Sequence, residues 1–439
     1  MHAQSCLKEF LKYTVLNITG MIGLSCYILA DTFFVSQGLG TAGLAALNLA
    51  IPIFSFIHGC GLMLGMGGAT WYSIFRAQKS QDKCDQIFTH MLLTTLAAAG
   101  LFVFAGLFLS ATLTRLLGAD AETMSMTHTY LQVLLLFSPA FMLNDLLTCF
   151  VRNDGNPRLS MLSMLLGSLS NIVLDYLFIF PLHMGILGAV LATGAAPLTG
   201  ISILSIHWIK KQNGFHIRKG RFHMKIILSG FKLGFSSLIT EISSGFVIIV
   251  FNAIILGLTG NIGVAAYGVI ANLSLVVVAI YTGVAQGMQP LASQAYGRGD
   301  KKYLCRLLQY GLISVLSLSV VIYITLFSFA TPVVHVFNSE GNALLQQIAI
   351  PGLKLYFTAI PFAGINIVLT LFFTSTDRAL PAQLISIARG FALIIPAAVI
   401  LSAIAGMTGV WLAFLLAESV VFVLGVICLI VNRKIITEC

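Results

Sequence analysis

The stretch SNIVLDYLFIFP, residues 170–181, sets Asp175 in the middle of a run that is otherwise almost entirely apolar. A carboxylate is costly there, and the rest of the chain says what the cost is measured against. The 439 residues are 58% hydrophobic and only 9% charged, against about a quarter charged in an ordinary soluble domain. Mean hydropathy is +0.96. The solvent this sequence suits is lipid.

Apolar stretches of about twenty residues recur roughly twelve times along the chain and leave no room for a sizeable soluble domain. Lipid offers no hydrogen bonds to backbone, and the short alternating segments of a barrel are absent, so the spans are expected to be helices. The fold class expected is an all-α polytopic membrane protein. The N-terminal MHAQSCLKEFLKY runs into the first span without a small-residue cleavage site and reads as retained. The eight cysteines form no CxxC pair, and no structural metal is expected.

The formal charge of +9 is placed, not spread. Arg76, Lys79, Lys83, Arg152 and Arg158, the basic cluster KKQNGFHIRKGRFHMK at 210–225, and Arg298, Lys301, Lys302, Arg306 and Arg378 all fall on even-numbered connections. The odd ones carry only Arg115. Positive residues mark the cytoplasmic side, so both termini are expected there, and the basic charge serves orientation and contact with membrane lipids rather than nucleic acid.

The two halves repeat one another. Gly40 and Gly43 of GLGTAGLAAL match Gly260 and Gly263 at an offset of 220, Met66 and Pro139 match Met288 and Pro361 at 222, and Gly185 and Gly188 match Gly406 and Gly409 at 221. Chance does not keep register over that length. The expected organisation is a parallel repeat of two pseudo-symmetric six-helix lobes, residues 1–208 and 226–439, joined by a basic cytoplasmic linker at 209–225.

A charged Asp at the centre of a membrane helix costs about 2.5–3.5 kcal/mol on the insertion scale, so intramembrane acids are functional candidates. Asp31, Asp175, Glu241 and Glu418 are counted in this class. Asn171 precedes Asp175 by one helical turn and shares its face. Asp175 lies roughly 9 Å from Pro181 at the outer end of its span, and Asp31 and Thr193 sit at similar depth in the first and sixth spans. Topology lets the four converge. Their hard oxygens suit a proton or Na+ alike, so H+ or Na+ is expected as the coupling ion and no other cofactor.

The motifs YILADTFFVSQGLGTAGLAAL (27–47), SNIVLDYLF (170–178) and GILGAVLAT (185–193) resemble the multidrug and toxic compound extrusion family, most closely its bacterial DinF- and MepA-like branch. The resemblance covers almost the whole chain. It implies a cation site at Asp31, Asn171, Asp175 and Thr193, and a cation or drug position at Glu241 in SSLITEISSG. Leu16 stands where members commonly have a proline in the first helix, and Ser236 ends a Gly-Phe-Ser where a proline is usual in the second lobe. A proline-driven bend of helix one is therefore not carried over.

The function expected is a cation-coupled antiporter that exports organic, cationic or amphipathic compounds from the cytoplasm by alternating access. Substrate-cavity candidates are Tyr27, Met66, Asn144, Gln286, Met288 and Asn366 beside Glu241; methionine adapts to varied shapes. The alternative is a flippase for a lipid-linked precursor, which would need several cavity arginines. An enzyme is not expected, because HExxH and GxSG are absent, there are no paired GxGD acids, and no His–acid pair stands at useful spacing. The partners are small organic substrates and membrane lipids, and the chain is expected to act as a monomer in the plasma membrane, the inner membrane of a bacterium.

Overall fold

The computed structural model describes residues 2–218, 223–338 and 341–433. Lys219 and Arg221 of the linker, and Lys434, lie outside them. Every regular element among the described residues is helical: α1 (His2–Ala77), α2 (Gln81–Phe108), α3 (Ser110–Leu116), α4 (Met124–Leu136), α5 (Ser138–Asn153), α6 (Pro157–Ile179), α7 (Gly185–Leu204), α8 (Ile206–Ile209), α9 (Met224–Arg298), α10 (Lys301–Ser328), α11 (Ala330–Phe337), α12 (Ala343–Tyr356), α13 (Ile360–Ser375), α14 (Ala379–Ile387) and α15 (Ile394–Val431).

Eight stretches among the described residues are long and apolar enough to cross a membrane, and α4 with α5 forms a ninth, bent by 48°. Three of the eight contain a break. Gly40 (φ 66°, ψ −156°), Gly260 (φ 67°, ψ −159°) and Gly406 (φ 57°, ψ −135°) interrupt α1, α9 and α15 in a region of backbone space that side chains exclude. Divided at these breaks, the apolar segments among the described residues are consistent with the twelve spans expected. Gly40 and Gly260 are the repeat partners found in the sequence, and Gly406 is the partner of Gly185, which has φ 62°. The same turn is thus built twice at matching positions.

Pro139 and Pro361 form another such pair. Each stands at the first turn of a helix, α5 and α13, just after the chain has broken from α4 and α12. There the missing N–H costs nothing, because the first turn has no intrahelical acceptor for it.

Large apolar side chains such as Leu101 (73% exposed) and Ile404 (76%) point outward, and the polar groups are buried, the reverse of a soluble protein. The membrane-facing surface is read directly from this inversion. Arg152, assigned in the sequence to a cytoplasmic connection, is instead 1% exposed on α5. Its Nη2 lies 3.2 Å from Met66 Sδ and 3.7 Å from Cys149 Sγ. Cys6, Cys26, Cys60, Cys84, Cys149 and Cys428 are free thiols, whereas Cys305 is disulfide-bonded.

Two compact units emerge, and each is discontinuous in sequence. One contains Met1–Ile18, Ser243–Ala292 and Asp300–Cys439; the other contains Thr19–Ile242 and Ser293–Gly299. Close approach between small residues accounts for both exchanges. In the first unit, Cβ atoms added at Gly283 and Gly287 would meet Ile18 Cα at 2.7 Å and Thr14 Cα at 2.6 Å. In the second, a Cβ at Gly234 would meet Met63 O at 1.8 Å, and one at Gly67 would meet Gly230 O at 2.0 Å. Gly230 and Gly234, like Gly283 and Gly287, are spaced for such packing.

The linker, where it is described, lies against the second unit. Phe215 is 0% exposed, with its ring 4.4 Å from that of Phe88, 5.3 Å from Trp208 and 5.4 Å from Tyr72. Asp154, buried after α5, accepts from Tyr72 Oη (2.5 Å), Arg76 Nη1 (2.6 Å), His207 Nε2 (2.7 Å) and the Gly214 N–H (2.6 Å). One carboxylate ties the ends of three helices to the strap.

Candidate cation site

The four residues expected to converge do so, all within the second unit. Asp31 is 7% exposed, Thr193 4%, and Asn171 and Asp175 are fully buried. Asn171 and Asp175 lie on one face of α6, and α6 packs along α7, which brings Thr193 to them. With its amide set to match its neighbours, Asn171 Nδ2 donates to Asp175 Oδ2 at 3.0 Å, and its Oδ1 accepts from the Thr193 N–H at 3.3 Å. Thr193 Oγ1 donates to Ala189 O at 3.0 Å.

The carboxyl groups of Asp31, on α1, and Asp175 meet as hydrogen-bond partners. Two bare carboxylates in contact repel, and a proton or a small cation between them would relieve that repulsion. The second oxygen of each, Oδ1, is buried and has no hydrogen-bond partner among the described residues. Pro197 lies within α7, and a proline has no N–H to bond the carbonyl four residues earlier, here that of Thr193.

Tyr130 on α4, which sequence reasoning missed, completes the set. It is 4% exposed, hydrogen-bonds to the Thr193 side chain, and lies in electrostatic reach of both aspartates. A tyrosine in an apolar run carries no pattern of its own, and only packing identifies it. Toward the end of the span, Phe33, Phe34, Gln37, Tyr176 and Phe180 line a hollow of about 350 Å³.

A second acidic cluster lies in the same unit. Asp145, omitted from the intramembrane acids in the sequence reading, accepts from or donates to His58: Asp145 Oδ2 and His58 Nδ1 are 2.5 Å apart. No His–acid pair stands at useful spacing in the sequence, and the fold makes this one between residues 87 positions apart. Glu241 is in electrostatic reach of both. Buried Tyr27 interacts electrostatically with Asp31, Asp175, Asp145 and Glu241, and so stands between the two clusters.

The other cavity candidates are dispersed. In the second unit, Met66 is engaged by Arg152, and Asn144 Oδ1 accepts from Ser163 Oγ at 3.4 Å. In the first unit, Gln286 is half-buried, Met288 is fully buried, and Asn366 belongs to a network of its own. Asn366 Nδ2 donates to Glu418 Oε2 at 2.7 Å and Arg389 Nε to Glu418 Oε1 at 2.6 Å. Glu418, which has no partner in sequence, has two in space.

Comparison with known proteins agrees with this architecture. The MatE family model matches residues 18–177 and 236–400. The multidrug export protein MepA of Staphylococcus saprophyticus is 25% identical over 95% of this chain and 92% of its own, and MepA of Staphylococcus aureus strain MSSA476 is 25% identical over 94% and 91%. Among solved structures, an outward-facing multidrug resistance MATE family transporter superimposes with a TM-score of 0.91 at 22% identity, covering 98% of this chain and 97% of that one. A MATE in its bent conformation gives 0.88 at 21% identity, covering 99% and 96%.

Proposed function

The chain belongs to the MatE family of multi-pass membrane transporters, and from that premise we propose that it is a cation-coupled antiporter exporting organic, cationic or amphipathic compounds. The coupling ion, H+ or Na+, is held by Asp31, Asn171, Asp175 and Thr193. The observation that supports this reading is the buried contact of Asp31 with Asp175, whose mutual repulsion a bound proton or Na+ would relieve.

Transport follows from differential affinity. An external ion that binds the outward-open state more tightly than the inward-open one shifts the balance toward the state that releases cargo. The sequence lobes 1–208 and 226–439 are the bodies proposed to alternate, and the chain needs no catalytic group for the cycle. MepA is named for multidrug export, and a cargo of that class fits the acids of the second unit.

The test is efflux of a fluorescent organic cation from loaded vesicles under imposed proton and sodium gradients, applied separately. Asp31→Asn and Asp175→Asn are each expected to abolish gradient-driven efflux. Intact efflux in both would remove the coupling site. A flippase of similar architecture is the weaker reading, because the buried arginines already have partners, Arg389 in Glu418 and Arg152 in Met66 and Cys149.

A further inference from the structure

The linker strap is bound along α2 by a repeating set of contacts that the transport reading does not use. Gln81 Nε2 donates to Gly214 O at 2.8 Å, Asp85 Oδ1 accepts from the His216 N–H at 2.9 Å, and Thr89 Oγ1 accepts from the Arg218 N–H at 3.0 Å. The helix advances four residues at each step and the strap two. Four helical residues rise about 6 Å and two extended residues about 6.6 Å, so one polar stripe of α2 keeps pace with the strap backbone. His90, the next residue of α2, makes a contact of a different kind. Its Nε2 lies 2.9 Å from the backbone nitrogen of His223, the N-cap of α9. Close by, a Cβ at Gly230 would meet Met91 Sδ at 2.8 Å, so the first turns of α9 lie directly on α2.

His90 makes that contact in one protonation state only. Its Nδ1 lies 2.7 Å from Gln86 O, and a carbonyl oxygen only accepts, so the ring proton is on Nδ1. The His223 N–H only donates, so Nε2 accepts with its lone pair. A second ring proton would sit on Nε2, set two donors head to head and end the bond. His90 is 6% exposed, and both residues belong to one compact unit.

The surrounding charges act in the same direction or at the other end of the strap. The His223 ring lies 5.9 Å from the His90 ring, and two imidazolium rings repel. Lys225, in the first turn of α9, is also basic. On α2, Asp85 lies 3.6 Å from His216 Nδ1 and Asp82 pairs with Arg218. Beyond α5, Asp154 accepts from His207 and the Gly214 N–H, while Arg152 lies against Met66 and Cys149. From α4, His128 is bonded to Ser110 and Tyr130 to Thr193. Protonating His216 strengthens its pair with Asp85, and His207 already donates to Asp154. Acid therefore loosens the strap at His223 and not between Gly214 and Arg218.

We propose that His90 and His223 form a proton-released pin. With His90 neutral, the pin fixes the start of α9 to α2. A proton taken up by His90 from the cytoplasmic side frees that helix start, while the strap from Gly214 to Arg218 stays bound. The pin answers to internal pH and does not involve Asp31 or Asp175, so it stands apart from the coupling reading.

Hydrogen exchange resolved to single amides tests this on the purified full-length protein in lipid nanodiscs, at pH 8 and pH 5.5, each rate being divided by that of an unprotected amide at the same pH. Protection of the His223 N–H is expected to fall about tenfold at the lower pH, across the range in which histidine titrates, while the His216 and Arg218 N–H groups change by less than about twofold. His90→Gln supplies an amide oxygen that accepts without titrating, and should keep His223 protected at both pH values. His90→Phe supplies no acceptor and should leave it unprotected at both. Equal His223 protection at the two pH values in wild type, an equal loss at His216 and Arg218, or a wild-type loss persisting in His90→Gln would each overturn the pin. The wild-type comparison decides alone if a variant does not fold.

Discussion

Arg389 Nε donates to Glu418 Oε1 at 2.6 Å, from the π turn Ala388–Ala392 to the middle of α15. Leu384 and Ile387 mark the lipid-facing side, and Arg389, two residues beyond Ile387, faces away from it toward the interior of its unit. Asn366, from α13, occupies the other carboxylate oxygen.

Breaking this pair from one side strands a charge. Glu418→Leu is expected to cost about 3–5 kcal/mol, whereas Arg389→Met with Glu418→Leu recovers most of it, because a buried ion pair is worth little against apolar replacement. Thermal unfolding in detergent of the two single variants and the double variant measures the coupling.

At the cation site, Tyr130 and Thr193 hold position rather than charge. Tyr130→Phe and Thr193→Val are each expected to remove about 1 kcal/mol of ion binding, roughly a fivefold rise in the half-saturating ion concentration for efflux, without abolishing it. Loss as complete as that of Asp31→Asn would contradict the assignment.

Gly234 permits a helix crossing that no side chain fits. Gly234→Ala places a Cβ against Met63 O and is expected to destabilise the protein by about 1–3 kcal/mol. Gly268→Ala, where nothing lies within 4 Å, should melt as wild type does.

Phe215 fastens the strap. Phe215→Ala empties the aromatic box of Tyr72, Phe88, Phe150 and Trp208, at a cost of about 3–5 kcal/mol. Limited trypsinolysis should then cut at Arg218 several times faster than in wild type.

Outside the membrane, Asp120 precedes α4 and accepts from the Thr123 N–H and hydroxyl, which hold its carboxyl below the usual carboxylate range. A lowered value contributes stability above the ordinary value near 4, and that stability is lost as pH falls through the lowered one. From pH 8 to pH 5 the contribution is constant, so Asp120→Asn should leave the pH profile of efflux over that range unchanged. A displaced profile would mean that the outer connection takes part in coupling.

Much of the site was legible because its parts obey local rules. Asn171 and Asp175 are one helical turn apart, and a carboxylate in an apolar run announces itself wherever it falls. Tyr130, Asp145 and His58 gave no such signal. Tyrosine is ordinary in apolar helices, Asp145 sits near the polar end of α5, and the His58–Asp145 contact spans 87 positions with no motif to join them.

The sequence by itself determined the helical membrane fold and the internal repeat, because lipid forces backbone pairing within each segment, and it supplied at Gly40, Gly260 and Gly406 the one residue type that tolerates the φ and ψ the structure shows there. Only the tertiary structure decided which side chains share a chamber, that Glu418 is neutralised by Arg389, and that Met1–Ile18 and the residues up to Ile242 pack with the opposite sequence half. The physical reason is reach: periodicity and hydropathy act over a few helical turns, whereas charge pairing and close packing act across whatever distance folding removes.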